Sequence, residues 1–331
     1  MLISHFSESV RYTGRWDKGE KAAVTTAPGA MFEVAFCGSS CDLMFDTDMN
    51  AERFPHLYVQ LDKGAKIEVP VDRYIRVEAP DDGAHVVTVY FKSAVEAQHR
   101  WYMPLVGKIS FIGAEADAEG VLPEDHRDII EFIGDSITEG IWVDDFRRLY
   151  GSPNTRNNMV FQNDATATYA YLTAQMLGMK PYIMGYGAVG VTKSGGGGVP
   201  KAAEAYPYAY DNVPIEPSGA KIIVINHGTN DIYAGVERYL EEYPLFLDLV
   251  RSRNPNAIIV AMSVFNGTYK DELRNLISEY NRTRGDSIVF INGSDWIPPT
   301  PMHPLRDGHR IAAEHLAAEL TKLLTAENAG N

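Results

Sequence analysis

Cysteine is nearly absent: the 331 residues hold two, Cys37 and Cys41. Two thiols cannot form a four-cysteine zinc site, and they rule out a small fold stapled by several disulfides. A local bridge across Gly38-Ser39-Ser40 would have to meet strict geometry over a short spacer, so reduced thiols are the expectation. Basic residues are also in deficit: 30 Lys and Arg stand against 44 Asp and Glu, a formal charge of −14. Such a field repels phosphate backbones and anionic bilayers, and no basic block offsets it. Nucleic acid and membrane partners are therefore not expected. No apolar run approaches the roughly 18 residues of a membrane-spanning helix. The opening Met1-Leu2-Ile3-Ser4-His5-Phe6 lacks the basic stretch and apolar core of a leader peptide, so the chain as it stands reads as cytoplasmic. Internal repeats are missing too, and the short run Gly195 to Gly198 is the one biased tract.

What is present is the balance of a globular protein, 45% apolar and 22% charged, in a chain long enough for two domains. The two halves are written differently. From residue 28 to about 112, apolar and polar residues alternate: Phe32, Val34 and Phe36, then Leu57, Val59 and Leu61, then Val87, Val89 and Phe91. Gly38-Ser39-Ser40, Lys63-Gly64 and Pro80-Asp81-Asp82-Gly83 punctuate these runs as turns. Period two at this spacing predicts an all-β sandwich of jelly-roll type over residues 1–120. The acidic, Ala/Gly-rich stretch Gly113 to His126 reads as the junction. Over 127–331, compact apolar runs (129–133, 182–184, 222–225, 258–262, 288–291) alternate with helical patterns (165–177, 236–251, 270–284, 306–324). That grammar predicts a doubly wound α/β domain with a mostly parallel sheet.

Open α/β sheets bind ligands beyond the C-terminal ends of their strands. The residues expected there are Gly134-Asp135-Ser136, then Gly185-Tyr186-Gly187-Ala188-Val189-Gly190, then Gly228-Thr229-Asn230-Asp231, and finally His303-Pro304. Acyl transfer needs these types. A serine requires a base to take its proton, and the tetrahedral intermediate requires donors for its oxyanion. A glycine lets a backbone N–H approach closely, and an Asn amide supplies a further donor.

In order and content these stretches resemble the four blocks of SGNH (GDSL-type) hydrolases. The resemblance implies Ser136 as nucleophile, His303 as general base, and an oxyanion hole of the Ser136 and Gly190 N–H groups with the Asn230 side chain. It implies no metal and no organic cofactor. A β-sandwich ahead of such a domain, with a looser likeness at Arg15-Trp16 and Ile129 to Gly140, further resembles carbohydrate esterase family 2. Members of that family remove acetyl groups from plant polysaccharides, so an acetylated mannan or xylan is the implied substrate. One position departs from the pattern. Most SGNH hydrolases carry an Asp three residues before the histidine, and here that residue is Thr300. Either a Ser–His dyad operates with a backbone carbonyl near Thr300, or Asp295 or Asp307 takes the place of the missing acid.

These residues also admit other readings. Gly185 to Gly190 also satisfies a dinucleotide G-x-G-x-x-G, but it runs into Ser194 and the glycine run instead of a clean helix. Thr192-Lys193-Ser194 lacks the glycine of a phosphate loop. The glycine run is expected to form a flexible wall of the site. His309 is expected to pack or hydrogen-bond at the start of the last helix, and His227 to end a buried strand with a local hydrogen bond. Trp142, just past the nucleophile, and the Trp101-Tyr102 pair are candidate sugar platforms against the commoner fate of packing. Two rival functions stay open: an SGNH esterase or lipase on non-carbohydrate esters, and a carbohydrate-binding protein that has lost catalysis. Oligomeric state is not legible.

Overall fold

A computed structural model describes residues 1–50, 53–144 and 159–330, with side chains up to residue 325. Ten strands between Leu2 and Glu119 join one antiparallel sheet. Its spine is the strand Met31–Phe45, which runs straight through Gly38-Ser39-Ser40 where a turn was expected. Along one edge its partner changes from Ala84–Ser93, paired up to Cys37, to Tyr74–Glu78, paired from Ser40; along the other it changes from Val10–Thr13, paired up to Val34, to Ile109–Glu119, paired from Phe36 onward. Within the pairing with Ile109–Glu119 lies a bulge, in which residues 38–40 stand opposite Asp117 alone. Gly38 sits at φ +124°, and a Cβ there would meet Asp117 Oδ2 at 2.5 Å, so this glycine serves the bulge. Phe32 and Phe45 lie on opposite sides of the bend, yet their rings are 4.2 and 5.7 Å from Phe111. The sheet therefore folds over on itself, and its two layers share strands around one apolar core. Cys37 and Cys41, at the two ends of the bulge, are free thiols.

The expected junction is corrected as well. Gly113 to Glu119 is the second half of the strand Ile109–Glu119, flanked by Leu2–Ser4 and by the spine. Ala114 and Ala116 face the core while Glu115 and Asp117 face solvent. Pairing on both edges outweighs the poor strand preference of Ala, Gly and acidic residues. The connection is shorter than expected, from Gly120 to Asp128.

The second half is a five-stranded parallel sheet. In spatial order its strands are Lys180–Gly185, Ile129–Gly134, Ile222–Asn226, Ile258–Met262 and Val289–Ile291. Tyr169–Met176 and the long helix Arg306–Gly330 cover one face, reached by Ile130, Phe132, Val224 and Val260. Val236–Arg253 and Lys270–Arg284 cover the other, reached by Ile133, Ile223, Ile225 and Ile259. Lys270–Arg284 illustrates the local logic. Leu273, Ile277 and Tyr280 bury one stripe, Asp271 and Glu272 sit in the first turn and Arg282 and Arg284 in the last, and Gly285 at φ +67° ends the helix. The strand order reverses on either side of Ile129–Gly134, which places a crevice at its C-terminal end.

The two halves share cores. Met31 and Tyr90 of the β half pack into the cluster that holds Phe132 and Ile183. Ala27, Trp101 and Leu105 join the cluster on the other face of the parallel sheet. Arg15, itself buried, donates to the carbonyls of Tyr206 and Tyr208, whereas its neighbour Trp16 stays in the sandwich core.

Candidate active site

Ile129–Gly134 delivers the chain into a one-turn helix, Ser136–Glu139. Asp135 caps it, its Oδ1 accepting from Ile137 N–H at 2.9 Å, and Gly140 closes it at φ +88°. The turn has no room for side chains at its ends. A Cβ on Gly134 would lie 2.1 Å from Thr138 Oγ1, and one on Gly140 would lie 2.4 Å from the Asp164 carbonyl. Ser136 is thereby held at the mouth of the crevice, 7% exposed. From 167 residues away, His303 Nε2 comes within 2.8 Å of Ser136 Oγ. A hydroxyl and an imidazole nitrogen at this distance have the geometry that acyl transfer requires of a nucleophile and its base.

Arg306 anchors the histidine's segment. Its guanidinium makes a forked pair with Asp144 at 2.7 and 2.6 Å and reaches Asp164 at 2.9 Å. Tyr58 of the β half donates to the same Asp164 carboxylate at 3.0 Å. Sequence reasoning missed this cluster, because nothing in the spacing of Tyr58, Asp144, Asp164 and Arg306 signals it.

The remaining candidates fall as follows. Asn230 lies against the nucleophile turn, its Nδ2 donating to the Val189 carbonyl at 3.0 Å and to Asp135 Oδ2 at 3.3 Å. Gly190 is close to them, but its N–H donates to the Lys193 carbonyl at 2.9 Å. A Cβ at 190 would meet Asp231 Oδ1 at 2.6 Å, so close packing on Asp231 also demands glycine there. Trp142, half-buried, stands edge-on to the His303 ring, with centroids 5.1 Å apart and planes at 76°. That contact packs His303, which the sugar-platform expectation did not include. Trp101 is buried edge-on to Tyr186, while Tyr102 is exposed. Asp295 is exposed and accepts from Asn292 Nδ2 at 2.7 Å and from Ser294 Oγ at 3.3 Å. Asp307 is exposed in the first turn of the last helix, and Thr300 is exposed ahead of it.

Asp135 is fully buried. Burial first, then repulsion from Asp231, raise its carboxyl to about 7 against the pull of the Ile137 N–H. His309 packs as expected: its Nδ1 accepts from Tyr169 N–H at 3.0 Å, and burial, reinforced by His303 and Arg306, lowers it to about 3. His227 is buried just past its strand, and its carbonyl accepts from the Tyr239 hydroxyl at 3.1 Å. The glycine run is no flexible wall. A Cβ on Gly196 would lie 2.7 Å from the Glu96 carbonyl and one on Gly197 2.1 Å from that of Gln98, so the run lies flush against the β half.

Residues 132–311, more than half of the chain, match the GDSL-like Lipase/Acylhydrolase family. The chain belongs to that family. It is a carboxylic ester hydrolase of the GDSL type, with a β-sandwich ahead of its catalytic fold. The acetylxylan esterase / glucomannan deacetylase of Cellvibrio japonicus (strain Ueda107) is 26% identical over 362 aligned positions, covering 97% of this chain and 88% of that protein. Among solved structures, a family two carbohydrate esterase from Cellvibrio japonicus superposes with a TM-score of 0.79 at 20% identity, covering 98% of both chains. An acetyl xylan esterase from the rumen bacterium Butyrivibrio proteoclasticus gives 0.77 at 21% identity, with 98% and 99% covered. The family two carbohydrate esterase of Clostridium thermocellum, solved with cellohexaose, gives 0.75 at 21%, with 96% and 99% covered. This GDSL hydrolase thus shares its whole two-part architecture with those esterases.

Proposed function

We propose that the protein removes O-acetyl groups from plant-type poly- or oligosaccharides such as mannan or xylan, through an acetyl-serine intermediate. The observation that carries the chemistry is the 2.8 Å contact between Ser136 Oγ and His303 Nε2. The acetyl-sugar assignment is supported by the likeness, over 97% of this chain, to an acetylxylan esterase / glucomannan deacetylase. Ser136 Oγ attacks the ester carbonyl while His303 Nε2 takes its proton. The tetrahedral intermediate collapses, the C–O bond to the sugar breaks, and the imidazolium returns the proton to the departing sugar oxygen. Water, deprotonated by His303, then attacks the acetyl-serine, and acetate leaves.

The oxyanion falls to the N–H of Ser136, which as a first-turn donor has no intrahelical acceptor, and to the amide of Asn230. The amide reaches it by giving up its long contact to Asp135. Gly190 N–H contributes once the Lys193 carbonyl turns away. His303 is packed on Trp142, in a segment that Arg306 anchors, and the reading rests on its pairing with Ser136 rather than on a carboxylate at position 300.

The test is acetate release from acetylated manno- and xylo-oligosaccharides, wild type beside Ser136→Ala. Release by the wild type that vanishes in the folded variant is the expected result. Cleavage of aryl or longer acyl esters without acetate release from these sugars would instead favour a non-carbohydrate esterase. Sugar binding with no turnover of any ester would favour a carbohydrate-binding protein.

A further inference from the structure

The catalytic turn is gripped from outside its own domain. Glu139, the last residue of the turn that Ser136 opens, is 1% exposed, and Arg100 of the β half is fully buried against it. Arg100 Nη1 donates to Glu139 Oε1, and its Nη2 donates to Oε2 at 3.2 Å. The same Oε2 accepts the backbone N–H of Gly187 at 2.6 Å. One carboxylate therefore joins the nucleophile turn, the loop that leads to Gly190, and the β half. The arginine holds the far side of that loop as well, its own N–H donating to the Gly197 carbonyl at 3.0 Å. Gly187 and Gly196 lack side chains where Glu96 intrudes: a Cβ on Gly187 would lie 2.1 Å from Glu96 Oε1. A second tie runs through Asn163, which donates to the Ala94 carbonyl at 3.0 Å and accepts the Trp142 N–H at 2.9 Å.

A buried ion pair is a poor way to gain stability, because desolvation of both charges offsets their attraction. What a forked arginine–carboxylate pair supplies is fixed geometry. The geometry points to Arg100 and Glu139 as positioning residues for ester hydrolysis: through them, segment 94–100 of the sandwich sets the spacing between the Ser136 turn and the Gly187–Gly198 loop. Neither residue touches substrate. This inference rests on the esterase reading, with Ser136 as the nucleophile.

Full-length Arg100→Lys, Arg100→Met, Glu139→Gln and the Arg100→Met/Glu139→Gln double variant test it. Two readouts keep the questions apart. Acetate release from acetylated oligosaccharides reports the substrate class. The rate at which a fluorophosphonate labels Ser136, with fluoride leaving as the Oγ–P bond forms, reports the nucleophile whatever the natural ester. In variants that stay folded, labelling and kcat are expected to fall by about tenfold to hundredfold with KM nearly unchanged, the cost of a small misplacement at a reacting centre. The double variant is expected to be no worse than Arg100→Met alone, since paired groups fail as a unit. Guanidinium at sub-denaturing concentration is expected to restore part of the rate to Arg100→Met but not to Glu139→Gln. Folded Arg100→Lys and Glu139→Gln proteins that label at the wild-type rate would overturn the inference. Additive losses that follow only the fraction of folded protein would do the same. Wild type that labels but releases no acetate from sugars overturns the substrate assignment alone. Wild type that does not label overturns both.

Discussion

Asp135 is the residue beside the nucleophile whose protonation matters most for the fold. With its carboxyl raised from 3.8 to about 7, chiefly by burial, the folded chain holds a proton that the unfolded chain has already released. Between those values the unfolded state binds fewer protons, so stability is complete below about pH 4 and falls as the pH rises towards 7. Three units correspond to about 4 kcal/mol. Asp135→Asn stays neutral throughout. Its Oδ1 keeps the Ile137 N–H, but its amide then faces the Asn230 amide, a cost independent of pH. Denaturant unfolding at a series of pH values is expected to show the variant gaining on the wild type from pH 4 to 7, then running parallel to it. A gap that stays constant across that range would mean that Asp135 is ionised well below neutrality.

At the scale of elements, what was legible depended on whether local pattern or distant partners set the structure. Lys270–Arg284 and Ile258–Met262 match their expected limits, because a 3.6-residue stripe and a doubly buried run are local signals. That Ser136 and His303 would come together was legible for a different reason: they stand in ordered blocks at strand ends, where an open sheet gathers its polar residues. The strand through Gly38-Ser39-Ser40 and the strand half Gly113 to Glu119 were misread, since both are imposed by pairing across the sheet. The glycine run was misread as well, because its cause, the backbone at Glu96 and Gln98, lies in the other half of the chain. Trp142 was legible as a residue near the site but not as a packing partner of the base. Its edge-to-face contact with His303 is worth about 1 kcal/mol. Trp142→Ala is therefore expected to lower kcat about fivefold with little change in KM, and Trp142→Phe, which keeps a ring, to stay near wild type. Steady-state kinetics on an acetyl ester would show it. A raised KM at constant kcat would return Trp142 to the role of sugar platform.

At the scale of the whole molecule, the contacts between the halves are too many and too buried for two independent bodies. Met31 and Tyr90 complete the core beneath Tyr169–Met176, and Trp101 and Leu105 complete the core on the opposite face. Lys92, 1% exposed, gives its ammonium to the carbonyls of Val160 and Asn163 at 2.9 Å. Gly29, at φ +91°, brings the sandwich backbone so close to Ile183 that a Cβ would lie 3.0 Å from its Cδ1. Separating the halves would expose these apolar surfaces to water and dismantle the contacts that Lys92, Arg15 and Arg100 make across the interface. The β half is in this sense part of the catalytic fold: Tyr58 reaches Asp164, Arg100 reaches Glu139, and the Ala94 carbonyl holds Asn163, which accepts the Trp142 N–H. Calorimetry of the full chain is accordingly expected to show one transition, with a van't Hoff enthalpy equal to the calorimetric one at roughly 200 kcal/mol. Residues 127–331 alone are expected to lose both cooperative melting and Ser136 labelling. Two separable transitions, or a stable 127–331 fragment that labels at the full rate, would show instead that the interface is an attachment and that the catalytic turn stands without it.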